Sequence, residues 1–125
     1  MKKRIEQLEE ELGKLSASPR LKLNKNDLAK VPEAWGLYRI FMPRSDRTLY
    51  IGKSKNIRRR LRNDLLTLTG SHTLKNKLKY EWNLKRKEII PYLNQCRIQL
   101  IMGKEIYITP LEHFAIAVLE PELND

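Results

Sequence analysis

Two short runs rich in aromatic and β-branched residues stand close together in this chain, 35–41 (Trp-Gly-Leu-Tyr-Arg-Ile-Phe) and 47–52 (Arg-Thr-Leu-Tyr-Ile-Gly). The residues between them, Met42-Pro43-Arg44-Ser45-Asp46, carry turn chemistry, and runs joined this way have few options beyond an antiparallel β-hairpin. If Phe41 faces Arg47, then Tyr38 lies opposite Tyr50 and Gly36 opposite Gly52, with two phenols side by side on one face. Opposed glycines mark a place where something approaches the backbone closely. The second strand runs directly into Lys53-Ser54-Lys55-Asn56-Ile57-Arg58-Arg59-Arg60-Leu61-Arg62, a helix capped by Asn56 or Ser54 with the apolar stripe Ile57, Leu61 and Leu65. Arg58, Arg59 and Arg62 point away from that stripe, whereas Arg60 borders it, about 60° from Ile57 on the helical wheel, and needs an acceptor or a groove. Taken singly, a tyrosine pair is ordinary cross-strand packing and outward arginines are ordinary solvated charge.

The flanking segments read as follows. Ile5, Leu8, Leu12 and Leu15 make an N-terminal amphipathic helix, closed by Ser16-Ala17-Ser18-Pro19. Its stripe is short for an independent coiled coil, so it is a helix laid on the domain or the seat of a weak homodimer. A helical turn at 26–30 follows. Residues 65–95 are polar and basic, with one or two helices on which Leu74, Leu78 and Trp82 fall in register, Trp82 as core. The interleaving of Lys75, Lys77, Lys79, Lys85, Arg86 and Lys87 with Tyr80, Trp82 and Tyr92 resembles a strand-tracking surface. His72 lies in the loop Gly70-Ser71-His72-Thr73 as a candidate proton carrier near neutral pH. Residues 96–102 alternate as a third strand beside the hairpin, and 106–108 add a short one. A helix then runs from a Thr109 cap, with Pro110 at its first position, to about Leu119. Glu112 would close a capping box with Thr109, yet it also sits in an apolar arc with Leu111, Ala115, Ile116 and Leu119. A carboxylate there needs a cation or several donors to stay ionised.

Charge narrows the function classes. The 25 Lys and Arg against 15 Asp and Glu leave a net charge of +10. Residues 36–95 alone carry +11, whereas 96–125 is acidic at −3. A polyanion, either nucleic acid or an anionic membrane surface, is the expected partner. The longest apolar run, 114–119, is far short of a spanning helix, and the basic start is followed by glutamates where a signal peptide would be apolar. One cysteine, Cys96, excludes an internal disulfide, and with two histidines a closed zinc site lacks ligands. These features suit a reducing cytoplasmic or nuclear setting.

Gly36-Leu37-Tyr38, eleven residues, then Tyr50-Ile51-Gly52 resembles the signature of the GIY-YIG nuclease superfamily, with Leu in place of the central Ile. The following Lys53 to Arg60 stretch is similar to the helix opening in the nuclease domain of the UvrC repair proteins, and Leu111-Glu112 and Pro121-Glu122-Leu123-Asn124 resemble the family's carboxylate helix and terminal Asn. The resemblance implies an α+β fold, a small three-stranded antiparallel sheet flanked by helices, plus the N-terminal helix. It divides the chain into 1–33, helix and linker, and 34–125, a nuclease domain with a basic helical insertion at about 66–95. It further implies a metal-dependent DNA endonuclease with one Mg2+ or Mn2+ held by Glu112. Tyr38 would be the general base, Tyr50 would position the water or phosphate, Arg60 would clamp the scissile phosphate with help from Lys53, and Asn124 would fix the geometry. Lys55, Arg58, Arg59, Arg62, Lys75, Lys77 and Lys79 would bind nucleic acid. Many relatives carry an arginine just before the carboxylate, where this chain has Ile108, Thr109 and Pro110. The alternative is a nucleic-acid-binding module that keeps the fold without catalysis.

Overall fold

The computed structural model describes residues 2–124. Along the chain run α1 (Lys2–Ala17), β1 (Leu21–Lys22), α2 (Lys25–Leu28), β2 (Gly36–Phe41) and β3 (Thr48–Ser54). Then come α3, α-helical over Ile57–Arg59 and π-helical over Arg60–Leu65, α4 (Thr73–Tyr80), α5 (Arg86–Asn94), β4 (Arg97–Met102) and α6 (Glu105–Leu119). The sheet has four strands in the order β1-β4-β2-β3, every pair antiparallel. The extra strand is β1, only two residues long, pairing Leu21 with Ile98; so short a strand has no alternation to read in the sequence. No helix among the described residues is long and apolar enough to cross a membrane.

The hairpin forms between the expected runs, but in a different register. Tyr38 pairs with Gly52, Ile40 with Tyr50 and Gly36 with Ser54: Phe41 faces Thr48 rather than Arg47, and a bulge between Ile40 and Phe41 adds one further residue on the β3 side. An extra residue in one strand shifts every later pair. Gly52 is required in this register, since a Cβ there would collide with the buried hydroxyl end of Tyr38. Gly36 makes room in the same way: a Cβ would lie 2.8 Å from the Ile101 carbonyl and 2.9 Å from the Ile57 side chain.

Each face of the sheet buries its own cluster. On one, Tyr38, Ile40 and Ile98 pack with Ile57, Leu61 and Leu65 of α3, Leu74 and Leu78 of α4, and Ile89 and Leu93 of α5. On the other, Leu37 and Ile51 pack with Leu15 of α1 and Ile108, Leu111 and Ala115 of α6, with Leu8 and Leu12 at the margin. The N-terminal stripe is therefore spent on α6 within the same molecule. Of its four apolar residues, Ile5 is left 46% exposed.

Several local expectations change. Asn56 caps α3, its Oδ1 accepting from Arg59 N at 3.0 Å, and Asn24 caps α2 in the same way at 2.8 Å. The last helix starts five residues earlier than its Thr-Pro pair suggests, with Lys104 as cap, so 106–108 is helical and not a strand. The buried stripe Ile108, Leu111, Ala115 explains this: it extends one turn upstream of Pro110, whose ring is accepted inside the helix. The capping box of Glu112 with Thr109 accordingly does not exist. Helix α4 ends at Tyr80, and Trp82 packs partly buried just beyond it, edge to face with Tyr92.

After α6 the chain turns at Glu120, whose φ of 45° is left-handed, and follows the outer edge of β3. Glu122 N donates to Thr48 O at 3.0 Å and Leu123 N to Leu49 O at 2.9 Å. Asn124 completes the run with its side chain: Oδ1 accepts from Ile51 N at 2.7 Å and Nδ2 donates to Ile51 O at 2.8 Å.

Candidate active site

The hairpin, α3, α4 and α6 converge at the β3 edge. Tyr38 and Tyr50 share a face, two positions apart along the strands rather than directly opposed, with ring centroids 6.4 Å apart. Tyr38 is 1% exposed and Tyr50 partly open. Burial raises the pKa of both phenols above the ordinary 10, and Tyr50 adds to the effect on Tyr38. Arg60 opposes the rise at both rings. Thr73 and Lys77 of α4 also favour the ionised form of Tyr50.

His72 is the residue whose importance the sequence understates. Its Nε2 lies 2.7 Å from Tyr38 Oη in a buried contact, and its ring packs 5.6 Å from that of Tyr50. Its Nδ1 accepts from Leu74 N at 3.0 Å. A backbone N–H can only donate, so the neutral ring carries its proton on Nε2 and donates to the Tyr38 oxygen. Burial, with Arg60 and Lys75 nearby, pushes the imidazole down to about 3. His72 is therefore a fixed neutral donor at pH 7 and not the proton carrier its loop position suggested.

Arg60 enters along the apolar edge of α3, as its wheel position requires. Its Nη1 donates to Asp64 Oδ2 and to Ser71 O, both at 3.0 Å, which ties α3 to the loop that carries His72. From the opposite face of the sheet, Lys53 Nζ donates to Thr109 Oγ1 at 2.9 Å. Lys53 also counteracts the desolvation that raises Glu112 above the usual carboxylate range. The field of Glu112 reaches both tyrosines. Among the described residues no group of three or more His, Cys, Asp or Glu comes together. One half-buried carboxylate fits a hard cation that keeps most of its waters, and does not fit zinc.

Tyr38, Tyr50, Arg60, Lys53 and Glu112 thus meet, and Asn124 grips the strand at Ile51, between Tyr50 and Gly52. The expected nucleic-acid contacts are less uniform. Lys55, Arg59 and Lys79 are exposed. Lys77 is mostly covered beside Tyr50 and forms a 3.7 Å pair with Glu81. Arg58 is not simply outward, because its Nε donates to Val31 O at 2.6 Å and fastens α3 to the segment after α2. Arg62 is half-buried, with its Nε enclosed. Lys75 does not reach outward at all: its ammonium donates to Asp64 O at 3.1 Å and to the carbonyls of Thr67 and Gly70, filling the loop from inside.

A family model described as the GIY-YIG catalytic domain matches residues 34–109, ending three residues before Glu112. Among solved structures, the chain is similar to the GIY-YIG N-terminal endonuclease domain of UvrC from Thermotoga maritima, seen in point mutants bound to the catalytic divalent cation. The alignments have a TM-score of 0.52 and 20% or 22% identity, covering 81% of this chain and 93% of that one. Among curated proteins nothing matches.

Proposed function

The chain belongs to the GIY-YIG family and carries its catalytic domain, and from that premise we propose that it is an endonuclease hydrolysing the phosphodiester bonds of DNA with one divalent cation, Mg2+ or Mn2+, per active centre. The observation that carries the reading is the meeting of two tyrosines, an arginine, a lysine and a lone half-buried carboxylate at one strand edge. Residues 34–124 form the catalytic module, and 2–33 buttress it through Leu15, Leu23 and Leu28, all fully buried. The stripe of α1 being spent on α6, the working unit is a monomer that cuts one strand at a time.

Glu112 would hold the cation, which when bound stabilises the charge developing on the phosphate and the leaving oxygen. Arg60 binds the scissile phosphate, exchanging Asp64 for a phosphate oxygen as its partner. Tyr50, as its phenolate, takes the proton of the attacking water while the water oxygen bonds to phosphorus and the P–O bond on the far side breaks. We assign that role to Tyr50 rather than Tyr38 because Tyr50 is the ring that solvent reaches and the one that Thr73 and Lys77 help to ionise. Tyr38, held by His72, supports the Tyr50 ring from below. Lys53 keeps Glu112 ionised, and Asn124 keeps the Tyr50 stretch of β3 straight.

The test is supercoiled plasmid with Mg2+, wild type against Glu112→Gln. Nicking that falls by about a thousandfold or more in the variant, while binding in EDTA persists, supports the reading; binding without nicking by the wild type leaves a nucleic-acid-binding module instead.

A further inference from the structure

The insertion contributes three aromatic side chains, and the fold treats them unequally. Trp82 and Tyr92 meet edge to face with centroids 6.1 Å apart and pack against the main cluster. Tyr80 is left 72% exposed, with the ammonium of Lys79 5.3 Å from the centre of its ring. Exposure of one large ring costs little, but its place on α4 is specific. Thr73, Lys77 and Tyr80 stand at i, i+4 and i+7, one face of the helix. Thr73 and Lys77 of that face are the α4 residues that act on Tyr50. Helix α4 therefore leaves the active centre as a ridge, first a hydroxyl, then an ammonium, then an open aromatic surface. Seven residues of helix span about 10 Å, or about three steps of a stacked strand.

We propose that Tyr80 is a stacking platform for an unpaired base about three nucleotides from the cleaved bond, so that the preferred substrate is DNA with a single-stranded arm beside the cut. In a continuous duplex both faces of every base are covered by neighbours, and a ring on a helix surface gains little from touching the groove wall. An unpaired base offers a free π-face, whichever base it is, and an adjacent ammonium serves the phosphate that carries it. The inference rests on the DNA-nuclease reading above and narrows its substrate.

The experiment compares a forked DNA, carrying one single-stranded arm, with a continuous duplex of the same length, binding both in EDTA. Tyr80→Ala, with unchanged far-ultraviolet circular dichroism, is expected to lose about tenfold more affinity for the fork than for the duplex, while Tyr80→Phe retains the preference. 2-Aminopurine scanned along the arm should show a quenched position with wild type and Tyr80→Phe and none with Tyr80→Ala. Equal losses on the two substrates, or a Phe variant that behaves like Ala, overturn the inference. Cleavage by wild type with Mg2+ on the same substrates separates the two claims: nicking without preference for the fork overturns the stacking role alone, whereas Tyr80-dependent quenching without any nicking overturns the nuclease reading.

Discussion

The face of the sheet covered by α3, α4 and α5 and the face covered by α1 and α6 each bury an apolar cluster, yet they deliver different chemistry to the β3 edge. The first supplies Tyr38, Tyr50, Arg60 and His72, proposed above to handle a proton and a phosphate: a buried hydrogen bond joins Tyr38 to His72, and Arg60 is tied to Asp64 and to the Ser71 carbonyl beside them. The second supplies Lys53 and Glu112, a charged pair in a half-open position. Glu112 comes from the second face with Lys53 to offset its desolvation, whereas Arg60 on the first face already has a carboxylate partner of its own in Asp64. The pleat makes the division unavoidable. Tyr50 and Gly52 point to one face, while Ile51 and Lys53 point to the other.

Breaking the first face should have the largest effect. Tyr50→Phe is expected to lower kcat by about 10²- to 10⁴-fold. Because burial raises both phenols, the wild-type rate should climb about tenfold per pH unit through the neutral range, where the phenolate is scarce. Rates at several pH values decide it; a flat profile would remove tyrosine as the proton acceptor. Gly52→Ala attacks the same face from its floor. Its Cβ would enter the space of the Tyr38 ring, so a loss of about 1–3 kcal/mol in stability, together with reduced cleavage, is expected from urea melts and nicking assays on one preparation.

A subtler break uses pH. His72 titrates near 3 in the folded protein against about 6.5 unfolded, so its contribution is complete above pH 6.5 and is lost as the pH falls. Stability should drop by about 1.4 kcal/mol per pH unit from this group below pH 6.5, and His72→Gln should flatten that slope between pH 6.5 and 5. The smallest effect concerns the rim. Exposed Lys55 and Arg59, each changed to Gln, should lower the log–log salt slope of DNA binding by about one or less. Arg58→Gln, in contrast, should cost thermal stability, since it frees the Val31 carbonyl.

Local spacing carried most of what the sequence disclosed. The tyrosines, the capped arginine helix and the odd place of Glu112 in an apolar arc are all visible within windows of ten or so residues. What stayed hidden depends on packing across the chain. The bulge at Ile40 and Phe41 moved the register, because turn residues do not say how many residues oppose one another. Pro110 resembled a helix start, and only the burial of Ile108 against Leu37 and Ile51 shows the helix already under way. Lys75 counted as surface charge because nothing local reveals that the carbonyls of residues 64, 67 and 70 point at one spot. His72 became central only when the fold brought it beneath Tyr38, thirty-four residues earlier in the chain.

The tail along β3 has one more consequence. An outermost strand offers a ladder of unused N–H and C=O groups to any other chain in an extended conformation, and intermolecular sheet growth starts at such places. Here the carbonyls of Thr48 and Leu49 accept from Glu122 N and Leu123 N, and both backbone groups of Ile51 are taken by the amide of Asn124. The strand that carries Tyr50 is thereby closed to other polypeptides along this edge, and loss of the Asn124 amide should show as aggregation on concentration as well as loss of the proposed cutting.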